Sequence, residues 1–434
     1  DLDIAGVAYD SRKVTAGGLF VAVSGFQTDG NRFIPMALEK GAAAVVTAKK
    51  PEGDVPYILV PSDRLALALI GANYYGHPAE QMTMIGVTGT NGKTSVTLLL
   101  KQVLEKTLGA KVGLIGTVEN CIGDEILPTE RTTPESFELQ GLFRQMLDAG
   151  CTHVVMEVSS HSIALDRVGG IRFQAAAFTN LTEDHLDFHH TMEAYCDTKA
   201  ELFARCDQAV LNRDDPWFDR MKAKAACPIL TTSWHPGAEL YAEDVSLRAD
   251  GVSFTVVLDG ERAKVSLPIP GSFAVSNGLT VLGLAAVLGI PLSQAAAALS
   301  EAKGVKGRLE VVPTPGKPYT VLIDYAHTPD GLENVLSSVK GYCEGRLIAV
   351  FGCGGDRDPL KRPIMGAIGA KYADVCIVTS DNPRTEDPEG IIRQILAGMP
   401  ENSYIAIENR PKAIGYALDI AEKNDIIVLA GKGH

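Results

Sequence analysis

One stretch constrains the fold more than any other. The apolar run Met84-Ile-Gly-Val-Thr88 turns through Gly89 to Lys93 directly into a helix-like segment, Thr94 to Thr107. A strand that enters a helix through a short glycine turn is half of a βα unit, and repeated units of that kind build a parallel sheet covered on both faces. The pattern does repeat. Runs at Val154-Val155-Met156, Ala175 to Thr179 and Gln208 to Leu211 are continuously apolar, as strands buried on both faces must be, and helical stretches separate them.

With 434 residues the chain exceeds the size at which one core suffices. Leu19 to Val23, a helix-like Ile34 to Gly41 and Ala42 to Val46 form a small α/β unit that ends near Gly76-His77-Pro78. Residues 240 to 269 alternate instead, which predicts a short antiparallel insert. A further unit starts near Pro313, with strand-like runs Thr320 to Asp324, Arg346 to Phe351, Asp374 to Thr379 and Asp425 to Ala430. Parallel strands would bring the loops after these four runs to one carboxyl edge, where α/β ligand sites form. The expected fold is α/β in three domains. These are a small N-terminal α/β domain (1–80), a central domain with a P-loop ATPase-like parallel sheet (81–312) and a Rossmann-like C-terminal domain (313–434).

Composition narrows the class. With 46% hydrophobic and 21% charged residues, a disordered or fibrous chain is excluded. A net charge of −13 argues against nucleic acid as a partner. The eight cysteines include no C-x-x-C pair, which fits reduced cytoplasmic thiols rather than a zinc knuckle or a disulfide framework. The apolar stretch Leu279 to Leu299 is broken by Gly283, Gly289 and Pro291, so it reads as two buried helices and not a membrane span. Both chain ends are expected to be trimmed, since Asp1 is not a Met and His434 follows a strand-like run at once.

Chemistry starts at the glycine turn. Gly89, Thr90, Asn91, Gly92, Lys93, Thr94 and Ser95 sit where backbone amides and a helix N-terminus attract phosphate, with Lys93 as a point charge and the Thr94 hydroxyl within reach of Mg²⁺. The strict P-loop spacing would want a glycine where Val87 stands, so the loop is a variant. Taken alone it implies a nucleoside triphosphate and no particular reaction. Glu157 ends its strand either as an ordinary acid or as the Mg²⁺ partner of the loop. His185, in Asp184-His185-Leu-Asp187, is a metal ligand or a helix-capping residue. Lys199, on a helix from Glu193 to Phe203, is by default a solvated surface lysine.

Longer motifs join these. Met156-Glu-Val-Ser-Ser-His161, Phe178-Thr-Asn-Leu-Thr-Glu-Asp-His-Leu-Asp187, Gly271-Ser-Phe-Ala-Val-Ser-Asn277 and Gly307-Arg-Leu-Glu310 follow in order. Asp324-Tyr-Ala-His-Thr-Pro-Asp330, Phe351-Gly-Cys-Gly-Gly-Asp-Arg-Asp358 and Gly431-Lys-Gly-His434 complete the series. Together with the glycine turn they resemble the Mur ligases, in particular the branch that adds the third residue of the peptidoglycan stem peptide.

The resemblance implies an ATP-dependent amide ligase, monomeric and cytoplasmic, with UDP-N-acetylmuramoyl-L-alanyl-D-glutamate and meso-diaminopimelate as partners. It makes Lys199 a lysine carbamylated by CO₂, which with Thr94, Glu157 and His185 holds Mg²⁺. It gives Lys93, Lys199, His185 and Arg308 catalytic roles, and assigns Asn277, Arg308, Asp324 and His327 to ATP. Tyr9, Ser11, Phe26, Gln27 and Thr28 match the uridine end of the sugar substrate. Arg131, Thr132, Thr133, Ser159 and Arg167 match its sugar and peptide end, although Arg131 stands where some relatives carry Asn. Arg357, Asp381, Asn382, Pro383, Arg384 and Gly431 match the diaminopimelate site, and a further Glu of that site is expected just past His434. Arg384 suits the extra carboxylate that separates diaminopimelate from lysine; otherwise it tidies an Asn-Pro turn. A lysine-adding homologue, a folylpolyglutamate synthetase-like ligase and a P-loop regulator or transport ATPase are the alternatives.

Overall fold

The computed structural model describes residues 3–25, 28–129 and 131–431. The chain divides into two compact units, Asp1–Thr232 with Gly283–Ile290, and Ser233–Leu282 with Pro291–His434. Among the described residues no helix is long and apolar enough to cross a membrane.

The first unit opens with β1 (Val7–Ala8), β2 (Leu19–Ala22), β3 (Ala44–Thr47) and β4 (Tyr57–Leu59), all parallel and in sequence order. Side chains alternate along β2 and β3, so they feed two small cores. Phe20, Ala22 and Val45 pack on Ile34 and Ala37 on one face, while Leu19, Val21 and Val46 pack on Leu67 on the other.

The rest of this unit is built on a larger sheet. Its strands are β5 (Thr83–Thr88), β6 (Val112–Ile115), β7 (Asn120–Ile122), β8 (Glu125–Leu127), β9 (His153–Glu157), β10 (Ala175–Phe178), β11 (Ala209–Asn212) and β12 (Ile229–Ser233). They lie in the order β12-β11-β10-β5-β9-β6-β7-β8, and only β7 and β8 run antiparallel to their neighbours. The predicted βα turn is therefore central: β5 lies between β9 and β10, and Lys93–Leu108 is the helix that follows it. Leu139, Phe143 and Met146 of the helix Ser136–Asp148 cover β5 and β9.

In the second unit the expected insert is an antiparallel meander of β13 (Leu240–Arg248), β14 (Gly251–Leu258) and β15 (Glu261–Leu267). The apolar stretch after it is two helices, Ser272–Val287 and Leu292–Ser300. A six-stranded sheet follows, made of β16 (Glu310–Val312), β17 (Thr320–Asp324), β18 (Leu347–Phe351), β19 (Val375–Val378), β20 (Ile405–Ala406) and β21 (Ile426–Ala430). Its order is β16-β17-β21-β18-β19-β20, parallel except for β16. Three of its helices start on a capping side chain: Thr328 accepts from the Gly331 amide, Asp387 from Gly390 and Asn409 from Lys412, and a proline follows in the first turn each time.

Candidate active site

In the first unit the glycine turn is held open by geometry that only glycine tolerates. Gly89 has φ +148°, and a Cβ there would lie 1.9 Å from the Thr179 hydroxyl oxygen. Gly92, at φ +86°, caps the helix Lys93–Leu108. Thr179 and Asn180 brace the turn from the next strand end, donating to the Asn91 carbonyl at 2.7 and 3.0 Å. The Thr90 amide donates to the Asn180 carbonyl at 2.8 Å. Lys93 Nζ folds back to the carbonyls of Gly89 (2.9 Å) and Thr90 (2.7 Å). Thr94 and Ser95 are buried in the first helical turn.

Two predicted residues converge on this turn. Glu157, at the end of the adjacent β9, is 1% exposed, and its Oε1 accepts from Thr94 Oγ1 at 3.0 Å and from the Thr117 amide at 2.8 Å. Its other oxygen accepts from Thr117 Oγ1 at 3.0 Å. Lys199 is 1% exposed, which overturns the default reading of a surface lysine. Its Nζ donates to the same Gly89 carbonyl at 2.9 Å and lies 4.6 Å from the Tyr195 ring centre. Burial first, and the nearby Lys93 second, push this ammonium well below the usual lysine range. A neutral amine is the form that reacts with CO₂.

His185 is a step removed. It occupies the N-cap of the short helix Leu186–His189 at φ +54°, with its ring 4.8 Å from His161 and 6.2 Å from Tyr195, whose hydroxyl meets Thr90 Oγ1 at 3.3 Å. Burial lowers its pKa, which keeps the imidazole neutral and able to ligate. Among the described residues no three His, Cys, Asp or Glu side chains form a cage for a metal.

The residues matched to the sugar and peptide end gather beside Glu157. Thr133 donates to the Glu157 carbonyl at 2.8 Å, and Thr133 Oγ1 lies 3.5 Å from Ser159 Oγ. Thr132 Oγ1 accepts from Thr117 Oγ1 at 3.0 Å. Arg131 and Arg167 both meet Glu135, at 3.3 and 2.8 Å, and so does Arg64 at 3.4 Å. Arg64, Glu135 and Thr117 were not anticipated; a residue that answers a distant charge carries no local pattern. At the uridine end, Tyr9 donates to Glu138 at 2.5 Å and Ser11 is buried against Met36. Thr28 accepts from the Gly25 amide at 3.1 Å. Phe26 and Gln27 lie outside the described residues.

In the second unit Asp324, Arg308 and His327, three of the residues matched to ATP, sit around one turn, to which no hydrogen bond among the described residues joins the fourth, Asn277. Asp324 ends β17 and is almost fully buried, with its two oxygens accepting from the amides of Ala326 (2.7 Å) and Leu309 (2.8 Å). Burial raises its pKa. The Arg308 guanidinium lies 5.5 Å over the Tyr325 ring, and His327 bonds the Tyr325 carbonyl at 3.0 Å. Asn277 is buried on the helix Ser272–Val287.

The four loops at the carboxyl edge of the six-stranded sheet do meet, in a cleft of about 480 Å³. Tyr325, His327 and Thr328 come from the first loop, Gly354 and Arg357 from the second, Asp381, Asn382 and Arg384 from the third, and Gly431 from the fourth, with Lys361 at the rim. The second and third loops are sewn together. The Gly355 amide donates to the Asn382 carbonyl at 2.8 Å, and Arg384 Nη1 donates to the Gly355 carbonyl at 2.7 Å. Pro383 sits so close that its carbonyl oxygen would lie 1.9 Å from a Cβ on Gly355. Asp381 Oδ1 is buried and accepts no hydrogen bond from the described residues. The cleft thus brings two guanidiniums, those of Arg357 and Arg384, and the Asp381 carboxylate into one lining.

Comparison with known proteins gives the lineage. Three family models match in order: Mur ligase family, catalytic domain, over 3–75; Mur ligase middle domain over 87–285; and Mur ligase, glutamate ligase domain, over 307–433. The chain belongs to the Mur ligase family. It is accordingly an ATP-dependent ligase. The chain is 48% identical to a Caldanaerobacter subterraneus protein named UDP-N-acetylmuramoyl-L-alanyl-D-glutamate-2,6-diaminopimelate ligase, over 100% of this chain and 90% of the relative. A Clostridium botulinum protein of the same name is 46% identical over the same shares. A solved structure of a ligase so named superposes with TM-score 0.77 at 33% identity, covering 99% of this chain and 90% of the other. The three-domain α/β architecture of Mur ligases is thus present here. This Mur ligase carries its nucleotide-loop residues in one unit and its carboxyl-edge cleft in the other, as the motif order implies.

Proposed function

We propose that this Mur ligase joins an amine of meso-diaminopimelate to the γ-carboxyl of D-glutamate in UDP-N-acetylmuramoyl-L-alanyl-D-glutamate, in peptidoglycan synthesis. The observation that carries the reading is the cleft at the carboxyl edge that Arg357, Arg384 and Asp381 line together. Arg357 and Arg384 suit the carboxylate that lysine lacks, and Asp381 suits the adjacent ammonium. Asn382 and Gly431 shape the walls, and Pro383 packs its carbonyl against Gly355.

A carboxylate does not condense with an amine unaided. In the proposed sequence the glutamate γ-carboxylate attacks the γ-phosphorus of ATP, releasing ADP and leaving an acyl phosphate. The amine then adds to the acyl carbon, and the tetrahedral adduct expels phosphate. In this reading the N-terminus of the helix Lys93–Leu108 and the Lys93 ammonium receive phosphate oxygens, Thr90 and Asn91 spending their amides on Asn180, and Arg308 adds charge to the phosphoryl group. Asn277, Asp324 and His327 orient the nucleotide. Thr94, Glu157, His185 and a carbamate on Lys199 fit Mg²⁺, a hard cation that takes oxygen ligands. Lys199, buried with its Nζ on the Gly89 carbonyl that Lys93 also meets, supports that assignment. When bound, Mg²⁺ neutralises charge that builds on the transferring phosphoryl group. Arg131, Thr132, Thr133, Ser159 and Arg167 hold the sugar and peptide, and Tyr9, Ser11 and Thr28 hold the uridine end. We assign residues 1–80, 81–312 and 313–434 to nucleotide-sugar, ATP and amino-acid binding, in a cytoplasmic monomer.

The test is ADP release with the UDP-sugar dipeptide and meso-diaminopimelate, L-lysine or L-ornithine, on wild type and Arg384→Ala. A site built for the second carboxylate should reject lysine by up to about 10⁴-fold, since buried donors are left unpaired. Arg384→Ala should raise the KM for diaminopimelate steeply and leave that for ATP unchanged. Equal use of lysine by the wild type would overturn the assignment.

A further inference from the structure

Arg362 is the most buried large polar side chain in the second unit, 1% exposed, yet it neither lines the cleft nor belongs to any motif that pointed to the ligase. Arginine is rarely buried to this extent unless it is paired. It also lies in the first turn of the helix Lys361–Tyr372, the end at which the helix dipole disfavours a cation. Its Nε is buried and unpaired among the described residues. Three local rules are broken at one residue, so something outside the helix accounts for its retention.

Its four hydrogen bonds show what that is. Nη1 and Nη2 grip the two oxygens of Glu386 at 2.8 and 2.7 Å, a bidentate fork. Nη1 also donates to Gln394 Oε1 at 2.7 Å, and Nη2 to the Gly354 carbonyl at 3.3 Å. Glu386 Oε1 in turn accepts from the Asp356 amide at 2.6 Å. Glu386 follows the loop that carries Arg384, whereas Gly354 and Asp356 belong to the loop that carries Arg357. One buried guanidinium therefore binds both loops from below. Each loop contains a residue in the left-handed region, Asp356 at φ +53° and Arg384 at φ +49°. Such backbone persists only where its surroundings hold it.

We propose that Arg362, acting with Glu386, is a positioning residue that fixes the separation of Arg357 and Arg384 and so sets amino-acid selectivity. The inference rests on the reading of the cleft as the diaminopimelate site. Neither residue touches the substrate in this account. Their effect is the alignment of the two guanidiniums on one carboxylate, and a misplacement of about 1 Å at such a site costs on the order of a hundredfold.

The experiment is steady-state ADP release by the full chain with meso-diaminopimelate and with L-lysine, for wild type, Arg362→Lys, Arg362→Met and Glu386→Gln. Arg362→Met should raise the KM for diaminopimelate at least about tenfold, leave the KM for ATP within about twofold, and cut the diaminopimelate-to-lysine ratio of kcat/KM about tenfold or more. Arg362→Lys keeps the charge without the fork and should fall between the two. Glu386→Gln keeps one acceptor oxygen for the Asp356 amide but breaks the two-pronged grip of Arg362, and serves if Arg362→Met does not fold; it should lower the ratio severalfold. A purely structural role would reduce the active fraction with both amino acids alike, and an unchanged ratio in all three variants would overturn the proposal. A wild type that does not prefer diaminopimelate would overturn the reading of the cleft instead.

Discussion

Glu157 separates what holds the active site together from what makes it work. Its carboxylate accepts three hydrogen bonds, from Thr94 Oγ1, the Thr117 amide and Thr117 Oγ1, at 1% exposure. In Glu157→Ala the first two donors lose their partner, while Thr117 Oγ1 still reaches Thr132. Stranding the buried Thr94 hydroxyl costs about 1–3 kcal/mol and the Thr117 amide, on an exposed residue, costs less, so the variant should lose about 1–4 kcal/mol of stability. Glu157→Gln keeps the acceptor that serves Thr94 and the Thr117 amide, and its new NH₂ can donate to Thr117 Oγ1. Its stability should stay within about 1 kcal/mol of wild type. Turnover should not survive, because the proposed metal-binding charge is gone. One placed electrostatic contact is worth about 3 kcal/mol in the transition state, roughly a hundredfold. Urea denaturation followed by circular dichroism, beside ADP release, reads both quantities. Glu157→Gln with full turnover would remove Glu157 from the metal site, and Glu157→Ala with wild-type stability would refute the hydrogen-bond account.

Two further expectations concern the same region. Lys199→Ala should abolish ligation, with partial return on adding bicarbonate or a short carboxylic acid; full activity without rescue would rule out a carbamate ligand. His189 is buried beside His161 and its pKa is lowered from 6.5 to about 4, chiefly by that burial. The unfolded chain therefore binds a proton at this site between about pH 6.5 and pH 4 that the folded chain does not, so stability falls as pH drops through that window and levels off below it. His189→Gln, which can still meet Ser160, should lose less stability than wild type between pH 7 and pH 5 in urea titrations. Equal losses would show that His189 is not the group that titrates.

Periodicity made the sheets legible. β17, β18, β19 and β21 are continuous apolar runs, and parallel pairing then obliges their following loops to share an edge, so the cleft was foreseeable before any side chain was placed. The glycine turn was legible too, despite its departure from strict spacing, because strand, turn, Lys93 and Thr94 agree. The burial of Lys199 was not legible from the residues around it, since a lysine on a polar helix reads as solvated; only the longer motif set it apart. Arg362 had a weak signal that went unused. It stands three and four residues before Met365 and Gly366, which are buried with Ile368 and Gly369, so helical spacing puts it on the inner face. Arg64 and Glu135 meet across 71 positions, a distance at which no local pattern speaks.

The strand order of the six-stranded sheet has a consequence for how the protein is made. β21 comes last in sequence but sits in the middle, between β17 and β18. On the ribosome, everything from β16 to β20 emerges before the strand that unites it. Until residues 426–430 clear the exit tunnel, β17 and β18 each present an open hydrogen-bonding edge lined with Val, Leu and Ile. Such edges invite pairing with other nascent chains. The six-stranded sheet is thus committed only once β21 has emerged, and a ribosome stalled short of it would hold a chain with two open edges.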